Sequence, residues 1–341
     1  MRAIPIRKPC KASELKIENW PDPKPQKGEV LIQVKSFGLN FADIVARKGQ
    51  YNDAPKMPFV PGYEVAGIVK SVGSGVKKFK PGQKVLALTL FSGYAELAIA
   101  SEMTCFPLPA GMTFAQGASI PVNFVTAWHS LHETGTLLKG SKILIHAAAG
   151  GVGLAAIQLA KLVGAEIFGT AGSAEKLKLL KKSGVDHPIN YTSHDYVKEI
   201  LRITKGEKID IVLDSVGGAF FKKDLSLIKP HGRVVGFGAS AFSDRSFGKM
   251  FSIVPQLISM LTLSMIDLML NSKGFYGVNM LRVAKENTEL FNQEMNNLLS
   301  LFKSKKLKTV ISKELPWDKI GEAHSLLENR STTGKIVLNV V

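Results

Sequence analysis

The sequence predicts two domains: one mostly β, the other α/β with a doubly wound parallel sheet. A chain of 341 residues is too long for one hydrophobic core. Before residue 122 it reads as short strands separated by Gly and Pro turns. From Ile143 to Gly238, short apolar runs alternate with helical segments, which implies parallel strands joined by right-handed crossovers.

In the first part, residues 29–35 and 93–99 alternate with period two, and 65–72 and 83–88 also fit strands, with Lys80-Pro-Gly82 as a turn. A helical signal runs from Phe114 through Ala118, Val122 and Val125 to Leu131. Next comes the apolar run Ile143-Leu-Ile145, as in a strand buried on both faces. A turn containing Gly150, Gly151, Val152 and Gly153 follows, then a helix with Ala155, Ala156, Leu159 and Leu162 on one face, stopped by Gly164. Strands are expected at 166–170, 187–191, 208–214 and 232–238, with helices at 174–182, 196–203 and after Gly217-Gly218. A tail helix at 317–327 and strand at 334–340 return to the first domain. The expected boundaries are 1–122 with 280–341, and 123–279 carrying an apolar insert near 245–272.

Strand, glycine turn and helix together aim free backbone N–H groups at a phosphate, and glycine lets the backbone approach a pyrophosphate. A second apolar segment begins two residues after Gly164, which completes the βαβ unit of a dinucleotide site. NAD sites carry Asp or Glu at the end of the second strand, on the ribose 2′-hydroxyl. Here that end reads Thr170-Ala-Gly172-Ser173-Ala-Glu-Lys176, with a hydroxyl donor at Ser173 and a cation at Lys176. Glu175 neighbours Lys176 but points away from it on a helix. The expected cofactor is NADP(H).

Two cysteines exclude a disulfide framework and any four-cysteine zinc lobe. The first residues lack the apolar core of a signal peptide, and a cytoplasmic location is expected. Net charge is +16, from 44 basic and 28 acidic residues, so the surface attracts anions. The basic residues are mostly dispersed lysines without interleaved aromatics, so nucleic-acid binding is not expected.

Residues 251–270 are strongly apolar and approach the ~20 residues of a membrane span. Ser252, Gln256, Ser259 and Asp267 share one side, and Pro255 interrupts the first turns, so a spanning helix is not expected. The segment suits a lid over a greasy pocket, a dimer contact, a helix lying on a membrane surface, or an internal core helix.

Gly38-Leu-Asn-Phe-Ala-Asp43, Pro61-Gly-Tyr-Glu-Val-Ala-Gly67, Lys80-Pro-Gly-Gln-Lys-Val85, Ala147-Ala-Ala-Gly-Gly-Val-Gly153 and Thr332-Thr-Gly-Lys335 resemble, nearly end to end, the medium-chain dehydrogenase/reductases. Within them the chain is most similar to the zinc-free quinone oxidoreductase group and its vesicle amine transport protein branch. The resemblance implies a GroES-like catalytic domain beside the Rossmann sheet and a homodimer. Zinc alcohol dehydrogenases of the superfamily have Cys where Asn40 stands and a His-Glu pair where Tyr63-Glu64 stands, so no metal is expected. His129 and His132, at i,i+3, lack a third ligand.

Without a Lewis acid, the expected substrate is a small hydrophobic, electron-poor quinone or α,β-unsaturated carbonyl that accepts hydride at carbon. The resemblance implies Asn40, Tyr51 and Thr126 near the nicotinamide, with Tyr51 as proton donor. Structural roles stand beside these: turn residue for Asn40, packed aromatic for Tyr51, helix-face residue for Thr126. For the cofactor it implies Tyr191 near the adenine-ribose phosphate, Ser215, Phe237 and Gly238 beside the nicotinamide ribose, and Gly277-Val278-Asn279 at the carboxamide. Arg330 is implied at a phosphate or as a surface-turn cap, and Asp43 in the site or as a helix cap. An enoyl-thioester reductase, or a membrane-associated regulatory protein with little turnover, remains as an alternative.

Overall fold

The structure, a computed structural model, describes residues 1–238, 240 and 265–341. The chain divides into two compact units, Met1–Val125 with Met280–Val341, and Thr126–Asn279.

The first unit is built on the strand Glu29–Leu39. Its first half pairs antiparallel with Leu97–Ser101, and its second half with Lys335–Asn339, while Glu64–Val72 lies along its other side. The seven-stranded sheet runs Ile311–Pro316, Lys335–Asn339, Glu29–Leu39, Glu64–Val72, Lys84–Leu88 and Cys105–Pro107, with Leu97–Ser101 paired off this path. Val30, Ile32, Val34 and Phe37 are buried on it, and Phe37 stacks on Tyr94 at 4.6 Å between centroids. The strand Lys335–Asn339 thus supplies an interior ladder of this unit, with Ile336 and Leu338 buried on it.

Two expectations shift in register. Of residues 93–99, only the segment from Leu97 pairs as a regular strand; the Tyr94 carbonyl instead accepts from Ile4 N–H at 2.9 Å. The single helical signal across 114–131 is two helices, Phe114–Gly117 and Pro121–Trp128, followed by a π-type turn at His129–Glu133. Pro121 has no N–H to continue a helix and instead starts the second one.

The second unit is a six-stranded parallel sheet in the order His187–Asn190, Glu166–Ala171, Lys142–Ile145, Ile209–Asp214, Ile228–Gly236, Gly274–Gly277. Numbered along the sheet, that is 3-2-1-4-5-6, the doubly wound arrangement whose direction reverses between the first and fourth strands. Ile143, Leu144 and Ile145 are fully buried, each worth about 1.5–3 kcal/mol of apolar transfer. The fifth strand starts at Ile228, four residues before the apolar periodicity does, since Lys229, Pro230 and His231 face solvent.

Candidate functional site

In a doubly wound sheet, ligands bind beyond the carboxyl ends of the strands, at the point of reversal. The first strand ends at Ile145 and the turn 147–150 delivers the chain to the helix Gly151–Val163. Gly150 is the N-cap residue and no side chain caps this helix end, so the N–H groups of Gly151, Val152 and Gly153 open the first turn. The two flanking glycines are needed for different reasons. A Cβ on Gly153 would lie 2.5 Å from the Ala148 carbonyl oxygen, so glycine lets helix and turn pack closely. A Cβ on Gly150 would meet only the Ala147 oxygen, at 3.2 Å; the rest of its surroundings is open. This is a backbone cradle that a side chain would fill, and it fits a pyrophosphate.

The second strand ends at Ala171, and Gly172 and Ser173 follow it, both exposed. Ser173 caps the helix Ala174–Ser183, its Oγ accepting the Lys176 N–H at 3.3 Å. That bond leaves the hydroxyl proton available to a ligand. The Tyr191 hydroxyl stands against Gly172, 3.0 Å from where a Cβ would be. Lys176 is half-buried in the first turn of the same helix.

The other strand ends align. Asp214 ends the fourth strand and ties down the next turn, its carboxylate accepting Val216 N–H at 2.7 Å and Gly217 N–H at 2.9 Å. Ser215 follows, and Gly238 packs against it, since a Cβ there would come 2.9 Å from the Ser215 carbonyl oxygen. Phe237 N–H donates to the Asp214 carbonyl at 2.9 Å, and Val278 N–H to that of Gly236 at 2.8 Å. Gly150 to Gly153, Thr170, Gly172, Ser173, Tyr191, Ser215, Phe237, Gly238 and Val278 thus lie on one rim of one sheet, with Lys176 on the helix leaving it. Arg330 is the remaining candidate. It belongs to the first unit, exposed, in left-handed backbone (φ 55°) just past the helix Ile320–Glu328.

The known proteins this chain is similar to have the same two parts. A model of the alcohol dehydrogenase GroES-like domain matches residues 26–129, and one of the zinc-binding dehydrogenases matches 151–298. Human quinone oxidoreductase is 32% identical over 318 residues, covering 93% of this chain and 90% of that one. The chain belongs to the medium-chain dehydrogenase/reductase family. Zebrafish synaptic vesicle membrane protein VAT-1 homolog is 37% identical over 321 residues, 93% of this chain, which spans only 65% of that relative's length. Escherichia coli quinone oxidoreductase complexed with NADPH superposes with a TM-score of 0.87 at 30% identity, covering 99% of this chain and 100% of that one. The CurK enoyl reductase does so at 0.85 and 27% identity, covering 100% and 99%. As a member of this family the chain is an oxidoreductase, with a GroES-like domain and a Rossmann-type sheet.

In the GroES-like unit of this dehydrogenase/reductase, Asn40 stands at the N-cap position of the helix Phe41–Arg47, and the Asp43 carboxylate accepts the Asn40 N–H at 2.8 Å. Asp43 also accepts Gly62 N–H at 3.2 Å and the Tyr94 hydroxyl. Burial outweighs these donors and lifts its carboxyl to about 7. Capping is therefore what the structure shows for Asp43.

The Asn40 side chain is only 7% exposed. Its Nδ2 donates to Glu64 Oε1 at 2.9 Å, and its Oδ1 accepts from Lys335 Nζ at 2.5 Å. Lys335 also pairs with Glu64, whose Oε2 accepts Val122 N–H at 2.8 Å. The position that is Cys in zinc relatives is thus an amide held between a buried ammonium and a carboxylate. Beside it Tyr63 offers a phenol in place of an imidazole, and Glu64 is taken by Lys335. This donor set does not fit zinc. Gly38 has to be glycine here, because a Cβ would sit 2.6 Å from Glu64 Oε1 and 2.7 Å from Lys335 Cε. Sequence reading took Lys335 only as part of a motif; its partners lie about 300 residues away.

Tyr51 is half-buried, its ring edge-on to Tyr63 at 6.2 Å. Burial first, then Asp53 and Asp43, push its phenol up to about 12. Thr126 is 7% exposed and lies in the second unit. His132 packs on the Trp128 ring at 4.3 Å, and burial holds its imidazole below the ordinary value. Among the described residues no three His, Cys, Asp or Glu side chains gather as a metal site.

A polar cluster missed by sequence reading lies under the glycine turn. His146 is 1% exposed, with Nε2 2.9 Å from Asp224 Oδ1 and Nδ1 3.0 Å from Thr170 Oγ1. The only available signal was a histidine ending an apolar strand.

Residues 251–264 of the apolar stretch lie outside the described residues, as does most of the expected 245–272 insert. Its last part is the helix Met265–Leu270, where Met265, Ile266, Met269 and Leu270 are 68–80% exposed. No described helix is long and apolar enough to cross a membrane.

Proposed function

We propose that this protein is an NADPH-dependent reductase of quinones or α,β-unsaturated carbonyls that works without a metal. The carrying observation is the alignment of the open glycine turn with Gly172, Ser173 and Tyr191 on one strand-end rim, free of any carboxylate at the second strand's end. The NADPH complex of the similar Escherichia coli enzyme supports it.

When bound, the cofactor supplies a hydride from its nicotinamide. The N–H groups of Gly151, Val152 and Gly153 hold the pyrophosphate. Ser173, Lys176 and Tyr191 hold the 2′-phosphate, Lys176 by charge and the hydroxyls by donation. Ser215, Phe237, Gly238 and Val278 position the nicotinamide end, Thr126 lines it from its helix, and Arg330 acts as a turn residue. On the substrate side, Tyr51 remains a neutral phenol across the physiological range. It is assigned as the donor of a hydrogen bond, and then of a proton, to the oxygen that gains charge as hydride arrives at carbon. Asn40 positions the helix that precedes Tyr51, because both ends of its amide are engaged by Glu64 and Lys335.

The test is NADPH oxidation with a panel of quinones, enones and crotonyl thioesters, followed at the nicotinamide absorbance. Turnover of quinones or enones is expected. Thioester turnover alone would favour enoyl-thioester reduction, which the CurK likeness supports. Lys176→Ala should weaken NADPH about tenfold or more while leaving NADH nearly unchanged, as loss of a charge-assisted contact implies. Equal effects on both would refute the NADPH assignment. A homodimer in the cytoplasm is part of the same reading, tested by sedimentation.

The exposed apolar helix Met265–Leu270 and the +16 net charge support a second reading, peripheral membrane contact. Co-sedimentation with anionic vesicles that disappears in Ile266→Glu/Leu270→Glu would establish it; undiminished binding would reject it.

A further inference from the structure

His146 and Asp224 form a pair whose side chains are fully buried in the second unit. The carboxylate can only accept, so Nε2–H donates to it. Tyr196 also donates to Asp224 Oδ1, at 2.7 Å, and Asp224 Oδ2 is buried with no hydrogen-bond partner. The Tyr196 and Phe220 rings pack edge-on against the imidazole at 4.9 and 5.0 Å.

The other side of the imidazole meets Thr170 Oγ1, and a hydroxyl donates or accepts as it rotates. His146 therefore keeps both hydrogen bonds whether neutral or charged. What changes is the net charge of the pair: zero with the imidazolium, one negative charge without it. That charge would develop beneath both turns assigned to phosphates. His146 immediately precedes the glycine turn, whose Ala148 N–H donates to the Thr170 carbonyl at 3.1 Å. Thr170 in turn leads to Gly172 and Ser173. Phe220 extends the contact to Tyr191, 6.1 Å between ring centroids.

We propose that His146, paired with Asp224, is a positioning residue that ties the two phosphate-holding turns together and couples cofactor affinity to pH through the charge of the pair. This rests on the NADPH reading above. The other charged groups facing the cluster are Asp214, which ends the adjacent strand, and Lys223, over the Tyr196 ring at 5.7 Å and paired with Asp195 at 2.7 Å. Burial opposes the charge on His146, but Asp224 and its hydrogen bond outweigh it and raise the imidazole above its ordinary value. The imidazolium therefore persists to higher pH than in an ordinary histidine, and it is lost as pH rises.

The experiment is the NADPH dissociation constant from pH 6 to 9 in the wild type, His146→Gln and Asp224→Asn. Wild-type affinity should fall about 5- to 15-fold as pH rises, the order of effect of one elementary charge beneath an anion site under protein-like screening. His146→Gln should lose this dependence and keep only the cofactor's own titration. Asp224→Asn should move it to lower pH. Identical profiles in wild type and His146→Gln would overturn the proposal while leaving NADPH use intact. No NADPH binding by the wild type would sink both. If His146→Gln does not fold, histidine NMR of the wild type decides: NADPH must raise the His146 pKa by the reciprocal amount, and no change overturns the coupling.

Discussion

Removing the ammonium from the Lys335–Glu64–Asn40 cluster should be the most damaging single change in the first unit. Lys335 is 3% exposed and Glu64 fully buried, so Lys335→Met leaves a carboxylate with no cation and no water. Glu64 keeps Asn40 Nδ2 and Val122 N–H, but Asn40 Oδ1 loses its donor. Breaking a buried pair from one side costs about 3–5 kcal/mol, mostly the desolvation of the stranded charge. At about 3 kcal/mol per molar urea, the unfolding midpoint of this unit should drop by about 1–2 M. Trp20 and Trp317 both lie in this unit, Trp317 at 2% exposure, so their fluorescence reports its unfolding. Adding Glu64→Gln removes the stranded charge, keeps one acceptor oxygen, and should restore at least half of the loss. A drop under about 0.5 M for Lys335→Met, or no recovery in the double variant, would refute the reasoning.

Gly153→Ala should cut NADPH affinity more than about tenfold, because its Cβ would lie 2.5 Å from the Ala148 oxygen and force helix and turn apart; fluorescence titration reads it. Gly172→Ala is milder: Tyr191, 37% exposed, can give way, so NADPH should weaken severalfold and NADH little. Burial first, then the Arg47 guanidinium, hold His324 at about 3, below its unfolded value of 6.5. The unfolded chain therefore takes up a proton that the native state refuses. Relative to His324→Gln, the wild type should lose stability as pH falls from about 6.5 towards 3, by up to about 1.4 kcal/mol per pH unit, with parallel urea curves above pH 7. Parallel behaviour below pH 6 would contradict the burial.

Local chemistry was enough to read the second unit. Glycines at 150, 151 and 153 between an apolar run and a helical face specify a strand–turn–helix by backbone sterics alone, and the absence of a carboxylate at the end of the second strand, Thr170 to Ser173, is visible in four letters. Alternating apolar residues likewise marked the strands around residues 29–35 and 65–72. The helix break at Pro121 and the shifted starts of the strands at Leu97 and Ile228 were not visible, because local period does not say which backbone groups find a partner. The least legible features were the buried charges. Lys335 reads as surface lysine and His146 as a strand-end histidine until the fold brings Glu64 and Asp224 to them. A charge tolerates burial only beside a partner, and that partner comes from sequence-distant chain, so tertiary structure alone decided which of 44 basic residues are internal.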